Sequence, residues 1–136
     1  MNDRNLPGHH WKPVIFDETD ATQRAALDEL RRDPTLTFLD ERKTQRKGLL
    51  SLLPSPEQSL LGENDRWVFF PWRKTVVAVL GPNSFRHLRL DRNRNKITLA
   101  EQNSLGDLTI GIIGLSVGHA IAHTLALEGI CGTLRL

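Results

Sequence analysis

One stretch constrains the chain more than any other: Thr109-Ile110-Gly111-Ile112-Ile113-Gly114-Leu115-Ser116-Val117-Gly118. An apolar run of strand type leads into a turn of small residues, and a helical pattern follows up to Gly129. The reading is a strand over 109–113, a sharp corner, a helix over Val117 to Glu128, and Gly129 as its stop. Two chemistries use such a corner. The pentapeptide Gly114 to Gly118 fits Gly-x-Ser-x-Gly, which lifts a nucleophilic serine above a sheet. It also looks like a shortened glycine-rich loop opening a nucleotide-binding βαβ unit. The two readings share their local structure and differ in everything else.

The rest of the chain supports an α/β layer. A strand is expected at Pro13 to Phe16, then a helix over Asp20 to Asp33, with Asp20 capping, Gln23 three residues on, and Ala26, Leu27 and Leu30 on one face. Pro34 stops it. Thr35 to Leu39 reads as a strand and Asp40 to Leu53 as a helix. Pro54 to Asp65 has the proline, serine, glycine and acidic content of a linker. Arg66 to Trp72 and Thr75 to Leu80 are strand-like runs, and Gly81-Pro82-Asn83 opens a helix over Ser84 to Leu90. A polar elbow, Asp91 to Lys96, precedes a capping box, Thr98-Leu99-Ala100-Glu101, that starts a short helix through Leu105. Thr133 to Leu136 begins a further strand. Helix and strand alternate, which is the signature of a layered α/β fold.

Length and composition set bounds. The 136 residues suffice for one compact domain, or a small domain with a piece of another. The net charge of +2 is too small to imply nucleic acid or membrane. Cys131 is the single cysteine, so an intramolecular disulfide is excluded, and its apolar neighbours mark a small core residue. No zinc-type ligand set is present, and no metal ligand is assigned. The opening MNDRNLPGHHWKP lacks the apolar core of a secretory signal, and no run reaches the roughly 18 apolar residues of a membrane span. A cytoplasmic location is the expectation. Aromatics beside Arg66, Arg73 and Lys74 have the composition of a base-stacking surface. A core strand pair with snorkelling basic ends accounts for them more simply. Arg86, Arg89, Arg92 and Arg94 are diluted by Asp91 and neutral residues, which argues against a nucleic-acid partner.

The serine reading asks more than the chain supplies. In an α/β-hydrolase the carboxylate and the histidine both follow the nucleophile. After Ser116 come His119 and His123, both on the helix that the corner starts, and no Asp; Glu128 stands at that helix's far end. The nucleotide reading asks less. Ile110 to Ile113 suits a buried parallel strand. Gly114, Ser116 and Gly118 let the backbone approach phosphates at a helix N-terminus.

Beyond the loop, the order of residues resembles a known family. Arg94-Asn95-Lys96-Ile97-Thr98-Leu99-Ala100-Glu101-Gln102-Asn103-Ser104-Leu105, the strand and loop, then Leu125-Ala126-Leu127-Glu128-Gly129-Ile130-Cys131-Gly132-Thr133-Leu134 is similar to the opening of the ThiF/MoeB/HesA family. These are relatives of ubiquitin-activating enzymes. Gln102, Leu105, Gly114, Gly118, Gly129 and Gly132 fall in the family's order. The stretch Trp67 to Thr98 resembles a subgroup with an N-terminal extension, in some members of which a nitroreductase-like domain follows. The resemblance implies a Rossmann-like nucleotide-binding domain starting at 92–136, here incomplete, after an N-terminal α/β module over 1–91 with a linker near 54–65. It implies ATP, with Mg held by residues outside this chain, and adenylation of the C-terminal carboxylate of a ubiquitin-like or sulfur-carrier protein. Gly114, Ser116 and Gly118 would bind the nucleotide, with Arg92 or Arg94 reaching the phosphates, often from the partner protomer. A homodimer is therefore expected. The ribose-binding acidic residue belongs roughly 20 residues past the loop, and Leu136 falls just short of it. The expectation is thus the inactive N-terminal part of an adenylyltransferase. The alternatives are a non-catalytic interaction module with a degenerate loop, and an α/β-hydrolase fragment using Ser116.

Overall fold

A computed structural model describes residues 12–136. The expectation of a leaderless N-terminus rests mostly on residues 1–11, outside that range. The chain is mixed α/β and divides into two compact units between Leu88 and Arg89.

In the first unit, β1 (Val14–Phe16) leads to α1 (Ala21–Arg31). The Asp20 carboxylate accepts from Thr22 N at 2.9 Å and Gln23 N at 3.0 Å, which satisfies two of the helix's free donors. Gln23 does not close the box on Asp20; its Oε1 accepts from Asp17 N at 2.8 Å and so fixes the turn before the helix. β2 (Thr37–Asp40), α2 (Arg42–Leu50), α3 (Gln58–Leu61), β3 (Arg66–Phe70), β4 (Thr75–Val79) and α4 (Pro82–Leu90) follow. The sheet order is β1-β3-β4-β2; β3 pairs antiparallel with β1 and β4, and β2 pairs parallel with β4.

Strand alternation splits the sheet's residues between two faces. Phe16, Phe69 and Val76 bury one face against Leu27 and Leu30 of α1, with Val14, Leu36, Phe38 and Trp67 at its margin. On the opposite face Ile15, Val68, Val77 and Leu39 stand in register across all four strands, and Ile15 and Leu39 remain exposed. β3 stops at Phe70, two residues before the expected end. Pro71 has no N–H for the ladder and begins a 3-10 turn, Pro71–Arg73, that closes with Lys74 in the left-handed region at φ 48°.

The Pro54 to Asp65 stretch is not a linker between bodies. It holds α3 and lies inside the first unit. Arg46 donates to Leu61 O at 3.3 Å and to Asp65 Oδ1 at 2.8 Å. The Glu63 carboxylate accepts from Ser84 N at 2.7 Å, Ser84 Oγ at 2.7 Å and Asn83 N at 3.2 Å, capping α4 from a distance in sequence. Acidic residues that read as part of a linker are partners for an arginine and a helix N-terminus.

The second unit holds α5 (Leu99–Gly106), β5 (Thr109–Gly111), α6 (Leu115–Glu128) and β6 (Thr133–Arg135). β5 and β6 pair in parallel, Ile110 opposite Leu134, with α6 as the crossover. β5 is shorter than the expected 109–113, although Ile112 N still donates to Arg135 O at 2.8 Å. α6 starts at Leu115, two residues before expectation, with Gly114 as its N-cap at φ 85°. Among the described residues, no helix is long and apolar enough to cross a membrane.

Candidate functional site

The corner between β5 and α6 uses its glycines for different physical reasons. Gly114 has φ 85° and ψ 112°, a conformation that side chains resist, while a Cβ there would meet nothing within 4 Å. Gly118 has ordinary helical geometry, but a Cβ would lie 2.6 Å from Cγ2 of Ile112. Its missing side chain lets the first turn of α6 lie against the end of β5. Ser116 sits between them, exposed. Gly114 as N-cap gives α6 no side-chain acceptor. The free N–H groups of the first turn, carrying the positive end of a 14-residue helix, are thus left to solvent or an anion.

Arg92 and Arg94 are at the other end of that helix. Arg92 Nη1 lies 3.7 Å from Oε1 of Glu128, the last residue of α6, and Lys96 Nζ lies 3.5 Å from its Oε2. Arg94 Nη1 is 3.4 Å from Asp91 Oδ1. At 1.5 Å per residue, the helix separates Ser116 from Glu128 by about 18 Å. Within one chain the structure therefore brings Gly114, Ser116 and Gly118 together and leaves both arginines away from them.

What holds the arginine segment is a buried amide pair that sequence reading found only in part. Asn93 and Gln102 are both buried. Asn93 Nδ2 donates to Gln102 Oε1 at 2.7 Å and to Glu128 O at 2.8 Å, and Gln102 Nε2 donates to Gly129 O at 2.7 Å. These bonds satisfy carbonyls at the C-terminal end of α6, where Gly129 turns left-handed at φ 63°. Gln102 was marked by resemblance alone and Asn93 not at all. A polar residue amid a charged elbow gives no sequence signal of burial. The Thr98–Glu101 capping box forms as expected, with Thr98 N donating to Glu101 Oε2 at 2.7 Å.

For serine chemistry, His119 and His123 lie on α6 itself, exposed, and the carboxylate of Glu128 is engaged by Arg92 and Lys96. No carboxylate–histidine–serine chain is assembled among these groups.

In the first unit the aromatic segment is committed internally. The Trp67 ring lies beneath the Arg31 guanidinium at 5.1 Å and that of Arg42 at 5.4 Å, and Phe38 meets it edge-on at 6.0 Å. Hydrogen bonds from Arg31 and then from Trp67 hold the Glu18 carboxyl below its usual range. Side-chain and backbone bonds from Arg42 bring Asp40 down to about 2. Burial pushes Glu63 up, but the Ser84 and Asn83 bonds outweigh it and its carboxyl lies below the usual range. Two guanidiniums and the Phe38 edge already contact the Trp67 ring, which argues against its use for stacking a base; Trp72, 51% exposed and edge-on to Phe70, remains outside the cluster. No group of three or more His, Cys, Asp or Glu placed to hold a metal occurs among the described residues.

The chain is 50% identical over 123 residues to "Uncharacterized protein MT1398" of Mycobacterium tuberculosis (strain CDC 1551 / Oshkosh). The match covers 90% of this chain and 17% of that relative, so the chain spans about a sixth of the relative's length. No family model matches, and no solved structure matches.

Proposed function

We propose that this chain is the nucleotide-loop portion of a ThiF-like adenylyltransferase, with a Rossmann-like half-unit over 92–136. The observation that carries the reading is the uncapped N-terminus of α6, reached from a parallel strand through Gly114 and packed close by Gly118. A phosphate seated there would accept from several backbone N–H groups and meet the favourable end of the helix dipole. The adenylated group would be the C-terminal carboxylate of a ubiquitin-like or sulfur-carrier protein, and Mg would accompany ATP on ligands outside this chain.

The position of Arg92 and Arg94 shapes the proposal. About 18 Å of helix stands between them and the loop of their own chain. Arginines serving this nucleotide would be those of a second copy, which is the reason a homodimer belongs to the reading.

Amide chemical-shift titration with ATP tests it. The loop offers contacts to the phosphates, so the expected dissociation constant of this chain is roughly 0.1–1 mM or weaker, about 4 to 5 kcal/mol of binding. Shifts should cluster over residues 112–119, and Gly118→Glu, which puts a carboxylate in the phosphate position and a side chain against Ile112, should abolish them. Shifts confined to residues 66–74 would overturn the glycine-loop reading.

A further inference from the structure

We propose that His119 and His123 form a two-imidazole chelate for a d-block dication such as Zn2+, Ni2+ or Cu2+ on the outer surface of α6, a site independent of the nucleotide reading. The two residues are four apart on one helix, which places their Cβ atoms roughly 6 Å apart on a single face. That spacing lets both rings turn a nitrogen toward one ion, with water filling the remaining positions. Both rings lie off the buried stripe of the helix. Gly118 and Ala122 form the buried stripe of α6, and each histidine is one residue further on, roughly 100° round the helix from it. Both histidines are exposed.

The surroundings favour a cation. The helix, Leu115 to Glu128, contains no lysine or arginine. One turn away on the histidine face are Leu115, Ser116, Ala120, Ala126 and Leu127, none of them charged. None of these side chains carries a charge that would repel a dication. The helix is held at its C-terminal end by the Asn93 and Gln102 amides on its last carbonyls, and its i,i+4 spacing presents both histidines on one face. Imidazole donors select Cu2+, Ni2+ and Zn2+ and pass over Mg2+ and Ca2+, which take oxygen. Binding would staple two turns of α6 and raise the stability of the unit by mass action.

The test is calorimetric titration of the full chain with NiCl2 and with CuCl2, in a His9→Gln, His10→Gln background that removes the other histidine pair of the sequence. The expected result is one ion per chain, Cu2+ tighter than Ni2+, and no binding of Mg2+. Affinity should fall on the order of tenfold or more in His119→Gln and equally in His123→Gln, and should not change in His87→Gln. The variant His123→Gln, Thr124→His keeps the number of histidines but sets them five apart, and it should not restore binding. A second readout needs no substitution on α6: paramagnetic Ni2+ should broaden the ring resonances of His119 and His123 first. Absence of saturable binding overturns the proposal. So does binding that survives loss of either histidine, or full affinity in the relocated pair.

Discussion

At Asp40 the guanidinium of Arg42 donates through its side chain and its own backbone N–H also bonds the carboxylate, so ionisation is favoured and the folded carboxyl falls from 3.8 to about 2. A carboxyl depressed on folding contributes stability that is complete above its unfolded value and is lost as pH falls through the folded one. Asp17 and Glu18, depressed by their own hydrogen bonds from Thr19 and Arg31, act in the same direction. The first unit should therefore lose stability between about pH 4 and pH 2, and Asp40→Asn should flatten that part of the profile. Urea midpoints across this range read the effect; an Asp40→Asn profile as steep as that of the native chain would count against it. Ser116 gives the residue scale a second expectation. With no carboxylate–histidine chain behind it, it should not react with a fluorophosphonate probe. Stoichiometric labelling that disappears in Ser116→Ala would restore the hydrolase reading.

At the scale of elements, what the sequence showed depended on whether the physics was local. The capping box at Thr98 and the start of α1 at Asp20 are contacts over two or three residues, and both are legible in the chain. The strand, the glycine turn and the helix of residues 109–129 were legible for the same reason. Glu63 capping α4 from 21 residues away was not, and neither were the contacts of Trp67 with Arg31 and Arg42, because both depend on which elements the sheet makes adjacent. The Arg92 and Arg94 segment shows the limit for the site itself. The resemblance implies Arg92 or Arg94 at the phosphates, often from a partner protomer, and within one chain the amide pair holds that segment at the far end of α6. That pair also makes a prediction. Gln102→Leu leaves Gly129 O and one of the two N–H bonds of the Asn93 amide without a partner in a partly buried place, the bond to Glu128 O remaining, at a cost of about 1–3 kcal/mol for each group left unsatisfied. Adding Asn93→Leu should cost less than the sum of the single changes, since the second change removes a donor the first had orphaned. Strict additivity in chemical denaturation, followed by amides of α5 and α6, would show that the pair is not a unit.

For the whole molecule, the two units differ in what they bury. Phe16, Leu27, Leu30, Leu49, Phe69, Val76, Ala78 and Leu80 are buried in the first, whereas Ala122 is the one buried hydrophobic side chain of the second among the described residues. The buried side chains of the second unit are otherwise polar, Asn93 and Gln102. Among the described residues its sheet has two strands, so each has one edge without a strand partner, and Ile113, Leu115, Val117 and Ile121 are exposed around the corner. Unpaired edges and exposed aliphatics are surfaces on which another copy can add. The hydrophobic term at about 25 cal/mol per Å2 cannot stabilise the second unit as it does the first when so little apolar surface is withdrawn from water. Hydrogen exchange of the dilute chain should therefore show β3 and β4 slow and β5, α6 and β6 fast. Raising the concentration from low micromolar upward should slow exchange in the second unit alone, because association stabilises what it covers by mass action. Sedimentation velocity at the same concentrations should show the dimer or larger species forming in step. Equal protection in both units, with a monomer at every concentration, would mean that the second unit is stable without a partner, and the homodimer in the functional reading would lose its support.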